Sequence, residues 1–328
     1  MKRMLGLALA GMIAMAGGMT CSASAGDVTL KFGNGTNPSA KEAGELFKKI
    51  VEERSAGSIK INYFPDNQLG DDRVMAETTV FGDIDISVIS TSNMATVYKD
   101  FYLFDAPFLF LNPAQAYERL DGPTGKAILE GMREKGVLGL TFWENGFRDL
   151  TNSKVAVKLP EDTKGLKIRT MENQVHLAAW KAFGANPTPM AFVELFTALQ
   201  QGAVDGQENP LGIIDGNKFQ DVQQYVSLTQ HVYTPYVMLI NLEKFESLTK
   251  EQQELLRTAA TETTSFQRQR SQELEKEILA KFKKAGTTVV ELTDEDKAAW
   301  QKIVQDAKIF DLVKSNMDHP DYLDQIMQ

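Results

Sequence analysis

Three apolar stretches separated by two helix-like runs constrain this chain more than anything else in it. Val28 to Phe32 alternates apolar and polar residues, as a strand does. Ser39 is placed to cap a helix from about Ala40 to Arg54, with Ala43, Leu46, Phe47 and Ile50 on one face. Ile59 to Phe64 reads as a second strand, Asp71 to Phe81 as a second helix. Ile84 to Ile89 is a nearly continuous apolar run, the pattern of a strand buried on both faces. This βαβαβ rhythm predicts an α/β fold with a parallel sheet and right-handed crossovers. Ligands of such sheets sit outside the carboxyl ends of the strands. Three polar loops fall at that edge: Asn34 to Thr36, Asn67-Gln68, and Ser90 to Asn93. Hydroxyls and amides there suit an oxygen-rich small molecule. Ser90 and Asn93 directly follow the buried strand and read as site residues. Asn67 reads as an ordinary turn former.

Further on, Val137 to Trp143 is predicted as a strand that turns at Gly146 and leaves Arg148 just beyond it. Leu150 to Val157 then crosses to a second domain. Leu166 to Ile168 is a short strand with Arg169 at its carboxyl end. A guanidinium there can present two parallel N–H donors to a carboxylate. It can equally pair with a helix acid, and Arg148 with Asp149 or Glu144. Gln174 to Phe183 reads as a helix, and Pro187 and Pro189 hold the next segment extended. Phe192 is placed against a ligand or in the core. Thr197 to Gln201 reads as helical, and Val204 to Gln207 as a short strand and turn. Asn209 can donate and accept at a ligand's edge. Lys218 to Ser227 is a helix or helix-loop, and Val232 to Asn241 a strand returning to the first sheet. Thr249 caps a long helix from Lys250 to about Lys284, longer than 25 residues and so expected to span the domains or to kink between them. Thr287 to Glu291 is a strand, a helix starts at Thr293, and the tail is expected to be helical and peripheral.

The amino terminus reads as a cleaved leader. Lys2 and Arg3 precede an apolar run from Met4 to Met19, and Ala23-Ser24-Ala25 gives a small-x-small cleavage pattern before Gly26. Cys21 would suit a lipid anchor, but Gly18-Met19-Thr20 lacks the leucine-like residue three places ahead. Cleavage after Ala25 removes the only cysteine, and with it disulfides, thiolate metal sites and cysteine nucleophiles. About 300 residues remain, which suggests two domains. A formal charge of −9 argues against a nucleic-acid partner but not against an anionic ligand.

Nothing nominates an enzyme. His176, His231 and His319 lack the spacing of a helical metal site and read as partly buried or surface residues. There is no Gly-x-Ser-x-Gly elbow, Gly-x-Gly-x-x-Gly fingerprint or P-loop. Asp71-Asp72 reads as a helix cap and a solvated face. No cofactor or metal is expected.

Seven ordered segments carry a family resemblance over the whole mature chain. They are Leu30-Lys31-Phe32-Gly33, Asn67-Gln68-Leu69-Gly70, Asp105-Ala106-Pro107-Phe108 and Asn145 to Asp149, followed by Gly165 to Arg169, Gly184 to Phe192 and Val204 to Pro210. Together they resemble the DctP-type substrate-binding proteins of tripartite ATP-independent periplasmic (TRAP) transporters. The resemblance implies a two-lobed periplasmic binding protein fold with a ligand cleft between domains and a long inter-domain helix. It also implies that Arg169 makes the main salt bridge to a substrate carboxylate, assisted by Arg148 and Asn209, with Phe192 packing alongside. Ser90 and Asn93 match positions that contact the rest of the ligand. These two positions look acidic and basic in sialic-acid-binding members and are neutral here, which speaks against sialic acid. Glu172 falls near the ligand, and Asn34 and Gln68 lie in loops that line the cleft.

The expectation is therefore a periplasmic, monomeric solute receptor for a small monocarboxylate, sugar-acid-like or another organic acid, working with TRAP membrane permease subunits. Residues 1–25 form the leader, 26–149 plus about 234–275 one lobe, and 150–233 plus about 276–328 the other. A periplasmic enzyme acting on an organic acid, or a receptor presenting its ligand to a sensor, are the alternatives.

Overall fold

The structure, a computed structural model, describes residues 27–328; the leader expected at 1–25 lies outside them. The first third follows the predicted rhythm. Strands β1 (Val28–Asn34), β2 (Ile59–Phe64) and β3 (Ile86–Ser90) are joined by helices α1 (Pro38–Arg54) and α2 (Asp72–Phe81). β1 lies between β2 and β3, parallel to both. Asn37 caps α1 in place of the expected Ser39: its carboxamide oxygen accepts from the Ser39 amide at 3.1 Å, and Pro38 occupies the first turn.

Two long strands run through the middle of the molecule. β4 (Val137–Asn152) and β8 (Tyr225–Asn241) pair antiparallel along almost their whole length. The predicted turn at Gly146 is instead a bulge in continuous β4, with register shifts between Glu144 and Gly146 and again between Arg148 and Leu150. Gly146 has φ +118°, a conformation that only glycine adopts without strain. The polar residues Glu144, Asn145 and Arg148 looked like a loop because such side chains are seldom buried. Here each is buried and hydrogen-bonded, so they stay in the ladder.

With β5 (Lys167–Thr170), β6 (Asn186–Pro189), β7 (Gly206–Pro210) and β9 (Thr288–Glu291), the nine strands of the described residues form one sheet. Its order is β2-β1-β3-β8-β4-β7-β5-β6, with β9 also paired to β8. One half of the sheet therefore carries β1–β3 and the other β5–β7, with β4 and β8 common to both. Each half has its own core. Leu30, Phe32, Phe47, Trp143 and Met238 fill the first, and Leu195, Leu199, Ile214 and Phe219 the second. A third core, containing Phe101, Phe142, Trp180 and Trp300, spans the two halves.

The helix Lys250–Ala285 starts in a capping box between Thr249 and Gln252, as its sequence implied. It packs on α1 and β4 in one half, and on β9 and the helix Leu211–Gly216 in the other. The C-terminal helices are not peripheral. Val313, Leu323 and Ile326 are buried in the spanning core, and the last helix, Asp321–Met327, packs on the 3₁₀ turn Lys99–Asp105 and the helix Pro123–Gly131. No helix of the described residues is long and apolar enough to cross a membrane.

Candidate functional site: a cleft with an unpaired arginine

A cleft opens where the carboxyl ends of β1 and β3 face β5 and β7 across the crossing strands. Arg169 projects into it from within β5, the third residue of that strand rather than the first beyond it. Its Nε and Nη2 donate to the Met190 carbonyl at 3.0 and 2.7 Å, which fixes the guanidinium plane. Nη1 is buried and has no hydrogen-bond partner among the described residues, which also offer Arg169 no ion pair. The Phe192 ring lies beside it, 5.8 Å from the guanidinium carbon. Burial lowers the Arg169 pKa to about 10, so the group is still cationic at neutral pH.

Arg148 lines the same cleft but already has an anionic partner. That partner is Glu208, not the expected Asp149 or Glu144. Register explains the difference. Arg148 stands opposite Pro210 on β7, and Leu150 opposite Glu208, so Glu208 is a diagonal neighbour of Arg148 across the ladder. Asp149 points to the other face, where it accepts from the Gln230 amide at 3.1 Å. Arg148 Nη2 donates to Glu208 Oε1 at 2.9 Å and to Asn209 Oδ1 at 3.1 Å, which places Asn209 at the cleft wall beside both arginines.

Glu208 also ends a buried polar network. His231 Nε2 lies 3.1 Å from Glu208 Oε2, and His231 Nδ1 2.8 Å from the Thr229 hydroxyl. His176 Nε2 is 3.0 Å from Asp105 Oδ1, and its Nδ1 is 3.7 Å from Glu208 Oε1. Asn173 donates to Asp105 at 2.6 Å and to the Ser92 carbonyl at 3.2 Å. Burial alone would raise the Glu208 pKa, but Arg148 and the two histidines carry it well below the usual carboxylate range. Burial would lower His176, but its bonds to Asp105 and Glu208 raise it to about 9. His231, chiefly through burial, is lowered and stays neutral. Thus His176 and His231, expected to be partly buried or exposed, are among the most enclosed polar residues. Their signal in the sequence was weak because their partners lie far along the chain.

Ser90 lines the cleft, with its hydroxyl buried and unpartnered among the described residues, and half-buried Asn93 lies nearby. Three expected residues lie elsewhere. Asn34 is fully buried and turned away, donating to the Ala40 carbonyl at 2.9 Å and the Tyr63 hydroxyl at 3.0 Å. Gly35 and Thr36 line the cleft instead. Gln68 points to solvent while its neighbour Asn67, dismissed as a turn former, faces the cleft with a buried, unpartnered Oδ1. Asp66 and Asn67, at φ +57° and +58°, are both left-handed in the turn that carries this side chain. Glu172 is exposed at the mouth and ion-paired to Arg73. Sequence reasoning also missed Met171, Ile213 and Tyr236 on the wall, together with Asp72. Asp71 caps α2 as expected, whereas Asp72 turns into the cleft and accepts from the Ser90 amide at 2.9 Å.

A cationic donor without a partner among the described residues, held in a polar cleft, suits an anionic group. Residues 32–308 match the family model DctP, described as bacterial extracellular solute-binding protein, family 7. The chain belongs to the DctP family. This is a family of solute-binding proteins rather than enzymes, and its TRAP members share this fold. The chain is 39% identical over 274 residues to the 2,3-diketo-L-gulonate-binding periplasmic protein YiaO of Escherichia coli, covering 83% of each. The sugar acid binding protein DctPAm of Advenella mimigardefordensis, in complex with galactonate, superposes with TM-score 0.87 at 36% identity, over 91% of this chain and 96% of that one. A TRAP periplasmic solute-binding protein from Sulfurospirillum deleyianum with bound succinate gives TM-score 0.85 at 31% identity, over 92% and 98%.

Proposed function

We propose that this DctP-family protein is a periplasmic receptor for a hydroxylated monocarboxylate. It closes two lobes over its ligand and delivers it to a TRAP membrane permease. One lobe would comprise 26–149 plus about 234–275, and the other 150–233 plus about 276–328, with β4 and β8 as the crossing strands. The reading is carried by Arg169 Nη1, a buried cationic donor lacking a partner among the described residues. A buried charge is costly unless paired, and a ligand carboxylate is the pairing that the cleft invites. Asn209 and Arg148 would complete the clamp. Arg148, neutralised by Glu208, contributes hydrogen bonds more than net charge. Phe192 would shield the clamp from water, and Ser90 and Asn93 would meet ligand hydroxyls. Galactonate and 2,3-diketo-L-gulonate, named for two relatives, are acids of this kind.

Calorimetric titration with carboxylic acids, each paired with its amide, tests the reading. The acid is expected to bind and the amide to fail. Arg169→Ala should weaken binding by about 2–5 kcal/mol, as truncating one side of a buried charge pair does. Arg169→Lys should recover only part of this, since lysine lacks the two-pronged donor. Undiminished binding by Arg169→Ala would remove Arg169 from the site.

A further inference from the structure

The cleft holds a second unpaired charge, of opposite sign to Arg169. Asp72 enters from the first turn of α2 and makes no ion pair among the described residues. Its Oδ2 accepts from the Ser90 amide at 2.9 Å. Its Oδ1 lies over Gly35, where an added Cβ would stand 3.4 Å from it and 3.5 Å from Asn67 Oδ1. Asn67 Oδ1 is itself buried and unpartnered among the described residues. Two acceptor oxygens therefore converge on the floor that Gly35 leaves open, and the unpaired donor, Arg169 Nη1, belongs to the β5 wall. With Arg148 neutralised by Glu208, the cleft is left with one guanidinium and one carboxyl group that make no ion pair among the described residues.

We propose that Asp72, with the Asn67 carboxamide oxygen beside it, is the hydroxyl-reading pole of this cleft and excludes ligands that carry a second carboxylate. The inference rests on the monocarboxylate reading above and sharpens it, from an organic acid to an aldonate-like acid rather than its dicarboxylate counterpart. A hydroxyl donates to Asp72 Oδ1 or Asn67 Oδ1, whereas a carboxylate can only accept. A second carboxylate would leave both acceptors unsatisfied and set two like charges side by side, an arrangement that disfavours binding. The charges that face Asp72 are Asp71 on its own helix and Arg148 from β4, with the Ser90 amide from β3 and the Tyr236 phenol from β8 also near. Burial outweighs the Ser90 bond and Arg148 and lifts the Asp72 pKa to about 7, so the pole can be switched off by mild acid.

The test uses matched pairs that differ only at the far end: D-gluconate against D-glucarate, and L-threonate against L-tartrate. Affinities are measured by calorimetry on the whole mature protein at pH 8 and pH 5.5, where the ligands' own carboxylates remain ionised. Wild type at pH 8 is expected to prefer the aldonate of at least one pair by roughly tenfold or more. Asp72→Asn, which can still accept from the Ser90 amide, should shrink that ratio by about the same factor. Lowering the pH should shrink it for wild type and leave it unchanged for Asp72→Asn. If Asp72→Asn does not fold, the wild-type pH arm decides alone. Equal affinity of wild type for both members of each pair, or a ratio that ignores both the substitution and pH, overturns the role of Asp72 while leaving Arg169 in place. Binding of no acid at all, with Arg169→Ala indistinguishable from wild type, instead sinks the monocarboxylate reading and this one with it.

Discussion

Glu208 decides what Arg148 can do. Its carboxylate holds the guanidinium in place and is in turn held by His231 and faced by His176. Glu208→Gln would leave Arg148 buried without its counter-charge, and a loss of about 3–5 kcal/mol in denaturant unfolding is expected. His176 gives the same network a pH signature. Its folded pKa, about 9, lies above the ordinary imidazole value of 6.5. The folded protein therefore holds a proton that the unfolded chain gives up, and this stability is complete below about pH 6.5 and lost as pH rises through about 9. Unfolding measured from about pH 6 to 10 should show that decline, and His176→Gln should flatten it. At this scale the sequence was uneven. Arg169 and Asn209 line the cleft at the carboxyl ends of the strands, the region where the sequence placed them. Asp71 and Asp72 were not separable, since both are acids at a helix start and only the helix phase sends one to the cap and the other to the cleft. Asn67 and Gln68 exchanged roles for a similar reason: two consecutive left-handed residues, Asp66 and Asn67, shape the turn that faces Asn67 inward.

At the scale of elements, hydrophobic periodicity carried β1, α1, β2, α2 and the long helix close to their observed bounds. It failed where burial and polarity part company. The middle of β4 has the composition of a turn but is a strand, because Gln272, Tyr117, Tyr233 and Glu208 satisfy its polar side chains. The bulge at Gly146 then lets the strand bend between the two halves of the sheet. Gly146→Ala places a β-carbon on a backbone at φ +118° and 3.4 Å from the Pro210 side chain. Thermal and denaturant unfolding should register a loss of about 1–3 kcal/mol. A variant as stable as wild type would show that the bulge can relax to ordinary strand geometry.

At the scale of the whole molecule, the C-terminal tail closes the spanning core. His319 donates its backbone amide to buried Asp100 at 2.7 Å, and Leu323 and Ile326 are buried beyond it. Ending the chain at Met317 should lower stability by about 3–6 kcal/mol, the burial of two large aliphatic side chains, less if the denatured chain keeps some contacts. An unchanged unfolding midpoint would mean that the tail merely rests on the surface. The order of the sheet carries a different consequence, one of timing. β8 lies between β3 and β4 and also receives β9, so the strand that ties β1–β3 to the rest of the sheet is made late in the chain. The strands β1–β3 cannot be joined to the rest of the sheet until β8 has emerged. Contacts this distant in sequence form slowly. A chain that must be threaded outward through a membrane before it folds gains from such an order: the piece needed to lock the sheet is still on the near side while the earlier strands pass through.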